Sequence, residues 1–308
     1  MDDEPLKAYV KAGEIAYRVK QAVASLVRPG VSLLEIAGGV ERMIRDLGGE
    51  PAFPTNISVG EVAAHRTPYA DDAELIPEGA VVKVDIGVHV NGYIADTAVT
   101  LAFNDRAVKL VEAAREALAK ALKLAAPGTP LNSFGRVIEA TARSYGLNVV
   151  KNLSGHSLGR YLIHAGEVIP NHATMVPTGR MVSGRAYAVE PFITEGKGYV
   201  EEIRGSVQIY ALTTNVKSLK RLSGEGVRLA EVLGSRFRTL PFCERWLKDI
   251  YPDLTRLRTL LQDMVRKSAL VSYPVLREVS GRPVSQFEET VVVWGGDVIV
   301  TTNPGLSI

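Results

Sequence analysis

The chain has one cysteine in 308 residues, a formal net charge of only +2, and no apolar run near the roughly 20 residues that cross a bilayer. Each scarcity excludes something. Cys243, alone, cannot close an internal disulfide, so a reducing compartment is expected. The missing apolar run removes a membrane span. The acidic start, Met1-Asp2-Asp3-Glu4-Pro5, has no apolar core of a secretory leader. The near-balanced charge argues for neither a nucleic-acid nor a membrane partner. The expectation is a soluble, cytoplasmic protein with no membrane and no specific nucleic-acid partner. Its hydrophobic content of 46% is enough for a sizeable core, and its length suits two domains or one large one.

What is present centres on residues 81–103, VVKVDIGVHV-NG-YIADTAVTLAF. Both arms are rich in β-branched residues, and Asn91-Gly92 is the strongest two-residue hairpin signal. Val82, Val84, Ile86, Val88 and Val90 share one face of the first arm; Lys83, Asp85, Gly87 and His89 share the other. With a two-residue loop, Val90 pairs with Tyr93, Asp85 with Ala98 and Gly87 with Asp96. The two aspartates are then diagonal neighbours about 7–8 Å apart, each facing a small residue. They either end in solvent on an open sheet face or share a cation, and Lys83 is the one basic side chain on that face. A metal would serve.

Along the chain, helical spacing runs from Leu6 to Val27 and stops at Pro29-Gly30. Ser32 then caps a second helix, with Glu35 as a capping box, that ends near Gly48-Gly49. The arrangement returns 98 residues later: a helix over 112–125 stops at Pro127-Gly128, and another ends near Gly146. Pro29/Pro127, Gly30/Gly128, Leu33/Leu131, Glu41/Glu139 and Gly48/Gly146 are identical at that offset. Helix, Pro-Gly, helix, then strands, occurring twice, predicts two similar halves with a cleft between them. Residues 216–267 differ: this segment is helical and basic, with 12 Lys+Arg against 6 Asp+Glu, and reads as an inserted subdomain within a chain whose main domain is 1–308.

Several polar residues stand isolated on apolar strands or glycine-rich turns. His156 lies in Ser154-Gly155-His156. Glu190 lies in a strand over 186–193, and Glu288 in a strand over 286–293. For either glutamate alone, an edge-strand acid accounts for the pattern, and His65, before Thr67-Pro68, alone reads as structural or exposed. Taken together, Asp85, Asp96, His156, Glu190 and Glu288 carry −4. One divalent ion leaves two charges uncompensated; two balance them. Oxygen-dominated ligation with one histidine suits Mn²⁺, Fe²⁺, Co²⁺ or Zn²⁺, and two such ions roughly 3.5–4 Å apart form a hydrolytic centre.

The order Asp, Asp eleven residues on, Gly-His, Glu-Pro-Phe and Phe-Glu resembles the pita-bread metallopeptidases, which include methionine aminopeptidases, prolidases and creatinase relatives. Phe53-Pro54-Thr55-Asn56, Ala63-Ala64-His65, Tyr93-Ile94-Ala95-Asp96-Thr97-Ala98, Leu162-Ile163-His164-Ala165-Gly166, Ile169-Pro170-Asn171 and Gln286-Phe287-Glu288 are similar to type 2 methionine aminopeptidases. The basic helical insertion and short N-terminus are similar to archaeal members. The resemblance covers nearly the whole chain. It implies an α+β pita-bread fold with pseudo-twofold halves and a helical insertion, and a metal-dependent aminopeptidase. Such an enzyme removes the initiator methionine from nascent chains whose second residue is small, using a water activated by two metals.

The roles it implies are as follows. Asp85 binds one metal, Asp96 and Glu288 bridge both, and His156 and Glu190 complete the second. Glu190 also serves as general base and then acid. His164 steadies the scissile carbonyl, and His65 contacts substrate near the scissile amide. Phe53, Ile163 and Tyr273 line the methionine pocket. A monomer is expected, with the nascent N-terminus as partner and a transient ribosome contact through the insertion. Arg66 and Gly60 depart from the pattern, standing where relatives carry an aromatic and an Asn, and both flank His65. His89, on Asp85's predicted face, is a candidate supporting residue, and His172 is expected to be solvated. The rivals are a prolidase or Xaa-Pro aminopeptidase, and an inactive binding protein on the same fold.

Overall fold

The computed structural model describes residues 4–306; Met1 to Asp3 and the last two residues of the 1–308 domain lie outside the described residues. No helix is long and apolar enough to cross a membrane among those described. Helix α1 (Glu4–Leu26) and helix α2 (Leu33–Asp46) pack over the hairpin of strands β1 (Val81–Val90) and β2 (Tyr93–Ala102). The expected register holds residue for residue: Asp85 faces Ala98, Gly87 faces Asp96 and Val90 faces Tyr93. Asn91 and Gly92 both take positive φ, 53° and 86°. That is the turn whose twist matches the flanking strands. The N-terminus of α2 differs in detail from a capping box, because the Ser32 hydroxyl accepts from the Leu34 N–H.

The second half repeats the plan. Helix α3 (Val108–Leu122) and helix α4 (Asn132–Ser144) cover a sheet that includes β3 (Ser154–Leu158), β4 (Arg185–Val189) and β9 (Glu289–Trp294). Helix α3 begins four residues before the expected Glu112. The Asn104 side chain accepts from the Ala107 N–H and starts a 3-10 turn that runs into it. The two halves share backbone detail at the 98-residue offset. Gly30 and Gly128 have φ of 82° and 84°, and each donates its N–H to a distant carbonyl, Ile76 and Met181. Glu41 and Glu139 each accept a loop N–H, from Thr55 and Ala173.

Two sequence readings need correction. The expected strand over 186–193 is broken at Glu190-Pro191 into β4 and β5 (Phe192–Thr194), which lie in different sheets. The expected strand over 286–293 is broken opposite it, at Phe287-Glu288, into β8 (Val284–Gln286) and β9. Strand β4 pairs with β9, and β5 pairs with β8, so both breaks occur at the same level. Pro191 has no N–H to give to a continuing ladder. Both glutamates thus leave the sheets at one seam, where the Ala98 and Glu288 backbones form an isolated bridge to β2.

Between long paired strands β6 (Val200–Leu212) and β7 (Leu270–Glu278) stand helices α5 (Val216–Leu219), α6 (Glu225–Arg236) and α7 (Leu254–Arg266). They have a core of their own around Leu229, Leu233, Phe242, Leu247, Leu257 and Leu261.

Candidate metal centre

All ten candidate residues line one cavity of about 390 Å³: Phe53, His65, Asp85, Asp96, His156, Ile163, His164, Glu190, Tyr273 and Glu288. They reach it from several supports. Asp85 and Asp96 project from the hairpin, His156 from β3, and Glu190 and Glu288 from the two strand breaks. Asp96, His156 and Glu288 each offer one ligand atom, and these atoms lie within 4.8 Å of one another. His156 Nε2 is 3.3 Å from Glu190 Oε1 and 3.9 Å from Asp96 Oδ2.

The seam is fastened behind the carboxylates. Thr97 Oγ1 donates to the Glu288 carbonyl at 2.7 Å. The Asp96 N–H donates to Thr290 Oγ1 at 2.7 Å, and that hydroxyl donates back to the Asp96 carbonyl at 2.8 Å. Lys20 reaches across from α1 to Glu289 at 2.6 Å and to Thr97 Oγ1 at 2.9 Å. Rigid support of this kind fixes the ligand geometry before any ion arrives.

The electrostatics are those of a site built for cations. Burial, and the other acids beside them, push Asp96, Glu190 and Glu288 well above the usual carboxylate range. Burial raises Asp85 to about 7. Lys83 does not relieve them. Its ammonium turns to the carbonyls of Val62 and Val284, at 2.5 and 3.0 Å. Among the described residues, Asp85 Oδ1, Asp96 Oδ1 and Glu288 Oε1 are buried with no hydrogen-bond partner. Buried acceptors left this way cost free energy, and divalent cations answer that deficit. The donor set, four carboxylates and an imidazole, fits hard or borderline ions.

Beside the acids stands a column of rings. His156 and His164 meet edge to face at 4.5 Å, His164 lies 6.3 Å from Tyr273, and Tyr273 lies 5.5 Å from His65. Burial lowers His156 to about 3 and His65 to about 4, and lowers His164 too. Each shift favours the neutral ring. His65 has a φ of 63°, uncommon for a side chain of its size, and its Nδ1 lies 3.2 Å from the Pro274 carbonyl. Arg66 turns to Glu74 and Asp72, at 2.5 and 3.6 Å, and Gly60 sits in a turn at φ 63°.

The apolar end of the cavity holds residues that the sequence did not single out. Ile209, paired with Tyr273 across β6 and β7, and Pro241 of the basic segment line it with Phe53 and Ile163. Alternation could have marked Ile209; Pro241 gave no signal, because its contact is set by a distant chain crossing. A Cβ at Gly87 would overlap the Phe53 ring, so the space beside Asp96 admits that ring. Gln286 was also passed over; its Nε2 donates to Glu190 Oε2 at 3.2 Å and to Glu288 Oε2 at 3.1 Å.

His89 belongs elsewhere. Its Nδ1 accepts from the Gly92 N–H at 3.2 Å, and it packs against Tyr161 in a separate depression. His172 is half-buried rather than solvated, since its backbone packs closely on Gly135 of α4.

Comparison with known proteins gives a consistent picture. The model of metallopeptidase family M24 matches residues 7–232. A methionine aminopeptidase of Thermococcus kodakarensis is 43% identical over 297 residues, covering 96% of this chain and 99% of the relative. One of Saccharolobus solfataricus is 39% identical over 302 residues, with 98% and 99% covered. Among solved structures, a thermophilic Arx1 superposes with a TM-score of 0.86 at 18% identity, covering 98% of this chain and 91% of that one. A methionine aminopeptidase from Thermotoga maritima gives 0.69 at 22%, covering 98% and 97%. These structural matches establish the pita-bread fold.

Proposed function

The chain belongs to metallopeptidase family M24, and on that premise we propose that it removes the initiator methionine from nascent chains with two divalent ions held by Asp85, Asp96, His156, Glu190 and Glu288. The observation that carries this reading is the set of unpartnered buried carboxylate oxygens converging on one cavity with a neutral imidazole. Asp96 and Glu288 would serve both ions, Asp85 one of them, and His156 and Glu190 the other. The ions, of Mn²⁺, Fe²⁺, Co²⁺ or Zn²⁺, supply Lewis acidity toward the scissile carbonyl and a lowered pKa for water.

The remaining chemistry belongs to the chain. Glu190 takes the proton of the attacking water and returns it to the leaving amine. Neutral His164 donates a hydrogen bond to the carbonyl oxygen as charge builds on it. His65, held by Pro274, contacts the substrate beside the scissile amide. Phe53, Ile163, Ile209, Pro241 and Tyr273 form the slot for an unbranched thioether side chain. The free α-amine of the substrate would bind at the metal site, which accounts for removal of the first residue only.

Residues 216–267 form the inserted subdomain, which supplies Pro241 to the slot. Lys217, Lys220, Arg221 and Arg228 are exposed on its α5–α6 face and are the groups for a transient ribosome contact. Unchanged ribosome co-sedimentation after their neutralisation would remove that role. The protein acts as a cytoplasmic monomer.

The test is a product assay. Metal-stripped protein is reloaded with each ion in turn and offered Met-Ala-Ser and Ala-Pro-Ser. Free methionine from the first peptide alone, and only with metal, is the expected result. Cleavage of the proline peptide instead would assign a prolidase-type activity, and turnover of neither would leave a binding protein.

A further inference from the structure

Gln286 ends β8 with its side chain 2% exposed, and its position is fixed three ways. Its N–H donates to Thr100 Oγ1 at 2.9 Å, and that hydroxyl donates back to the Gln286 carbonyl at 2.7 Å. Its backbone pairs with Phe192 of β5. The two strand breaks therefore flank it, with Glu190 after β4 on one side and Glu288 before β9 on the other. The amide nitrogen has two hydrogens, and the geometry directs them to Glu190 Oε2 and Glu288 Oε2, at 3.2 and 3.1 Å.

This has a definite consequence for the carboxylates. Each glutamate can rotate to present either oxygen to the cavity. The amide occupies one oxygen of each, which leaves Glu288 Oε1 unpartnered and Glu190 Oε1 beside His156 Nε2 at 3.3 Å. The residue type also matters. A Lys or Arg here would bind the same oxygens but add a positive charge that competes with a cation. A carboxylate would add a fifth like charge. An apolar side chain would leave two more acceptors unanswered. A neutral amide with two donors orients both acids without altering the charge of the site.

We propose that Gln286 is a positioning residue of the metal centre: it selects the oxygens with which Glu190 and Glu288 meet the ions, and so governs retention of the more weakly held ion. The inference rests on the two-ion reading above. Gln286 also interacts with Asp85, but its two amide hydrogens are directed to Glu190 and Glu288, so the loss should fall more heavily on the ion that Glu190 would serve.

The experiment titrates metal-stripped wild type, Gln286→Leu and Gln286→Asn with Mn²⁺, counting free Mn²⁺ by its electron paramagnetic resonance signal. The melting temperature of each metal-free protein is measured alongside. Gln286→Leu removes the donors at similar size; Gln286→Asn keeps the amide but withdraws it by one methylene, and serves if the leucine variant does not fold. The expected result is two ions in wild type and, in the variants, a second-ion affinity lower by about 10- to 100-fold with the first changed much less. Raising Mn²⁺ should then restore kcat while KM for the peptide holds. Second-ion affinity equal to wild type in a folded variant overturns the inference, including where only the metal-free melting temperature has dropped. A wild type that takes a single ion overturns the two-ion reading itself, an outcome read before any variant is considered.

Discussion

Glu41 and Glu288 are both buried glutamates, 4% and 1% exposed, and they have opposite surroundings. Glu41, on α2, accepts from Thr55 N–H and Arg245 on one oxygen and from the Trp246 indole on the other, at 3.3, 2.5 and 2.7 Å. It ties the first half to the basic insertion, and all of its charge is met by protein. Glu288 has four other acids around it and, among the described residues, an oxygen with no hydrogen-bond partner. Burial of an acid is thus a poor sign of chemistry, because a paired one serves as a fastener. Burial without an answering donor is the informative state, since folding has tolerated its cost in order to leave a ligand atom free.

The largest effect that can test this contrast is at Glu288. Replacing it by Gln should lower kcat by more than about a hundredfold, since one ion loses a direct ligand. Yet the metal-free Glu288→Gln protein should melt higher than metal-free wild type. The sign follows from the raised carboxyls. A carboxyl whose folded pKa lies above its unfolded value contributes stability below about pH 4 that is lost as pH rises through the folded value. The advantage of the variant should therefore be small near pH 4 and grow as pH rises above it. A gap that does not vary with pH would contradict the assignment.

Glu41→Gln should behave in the reverse way. It leaves Arg245 buried and short of a counter-charge, costing about 3–5 kcal/mol by denaturant unfolding, while kcat of the folded protein stays close to wild type. Loss of turnover in proportion to stability would show that the insertion acts on the site through Glu41.

A smaller cost is expected at the hairpin tip. Gly92 has a φ of 86°, and a Cβ there would overlap the Tyr161 ring. Gly92→Ala should cost about 1–3 kcal/mol. It should also raise KM, because Tyr161 donates its N–H to the Gly92 carbonyl at 2.8 Å and begins the loop that carries Ile163 and His164. The smallest effect belongs to the exposed Arg236–Asp249 pair: Arg236→Ala should move stability by less than about 1 kcal/mol.

The parts of the molecule that were legible from sequence are those set by local rules. Asn91-Gly92 fixes its own turn, and with it the register that places Asp85 and Asp96 on one face. The 98-residue offset exposes the doubled helix pair because Pro-Gly stops and their positive-φ glycines are written in adjacent residues. Five polar residues stood out against apolar strands, and those five line one cavity. What stayed hidden depends on chain crossings. The strand breaks at Glu190 and Glu288 exist because two strands change sheets at the same level. The partner of Glu41 lies 204 residues away. Gln286 looks like an ordinary polar residue until Glu190 is brought beside it, and Lys83, the one basic side chain on the hairpin face, is claimed by two distant carbonyls.

The seam where Thr97 meets Glu288 joins residues 191 positions apart, and that separation has a meaning in time. A chain made at about 5–20 residues per second presents the hairpin roughly 10–40 s before Glu288 is added. During that interval the two aspartates lack Glu288, and an early-captured ion would be held by a partial shell. Glu288 follows every other candidate ligand in the chain, so the cavity is complete only once it has been made. Contacts this remote also close slowly, which makes docking of the final strands the natural slow phase of refolding, and one that added metal should leave unhurried until the seam has formed.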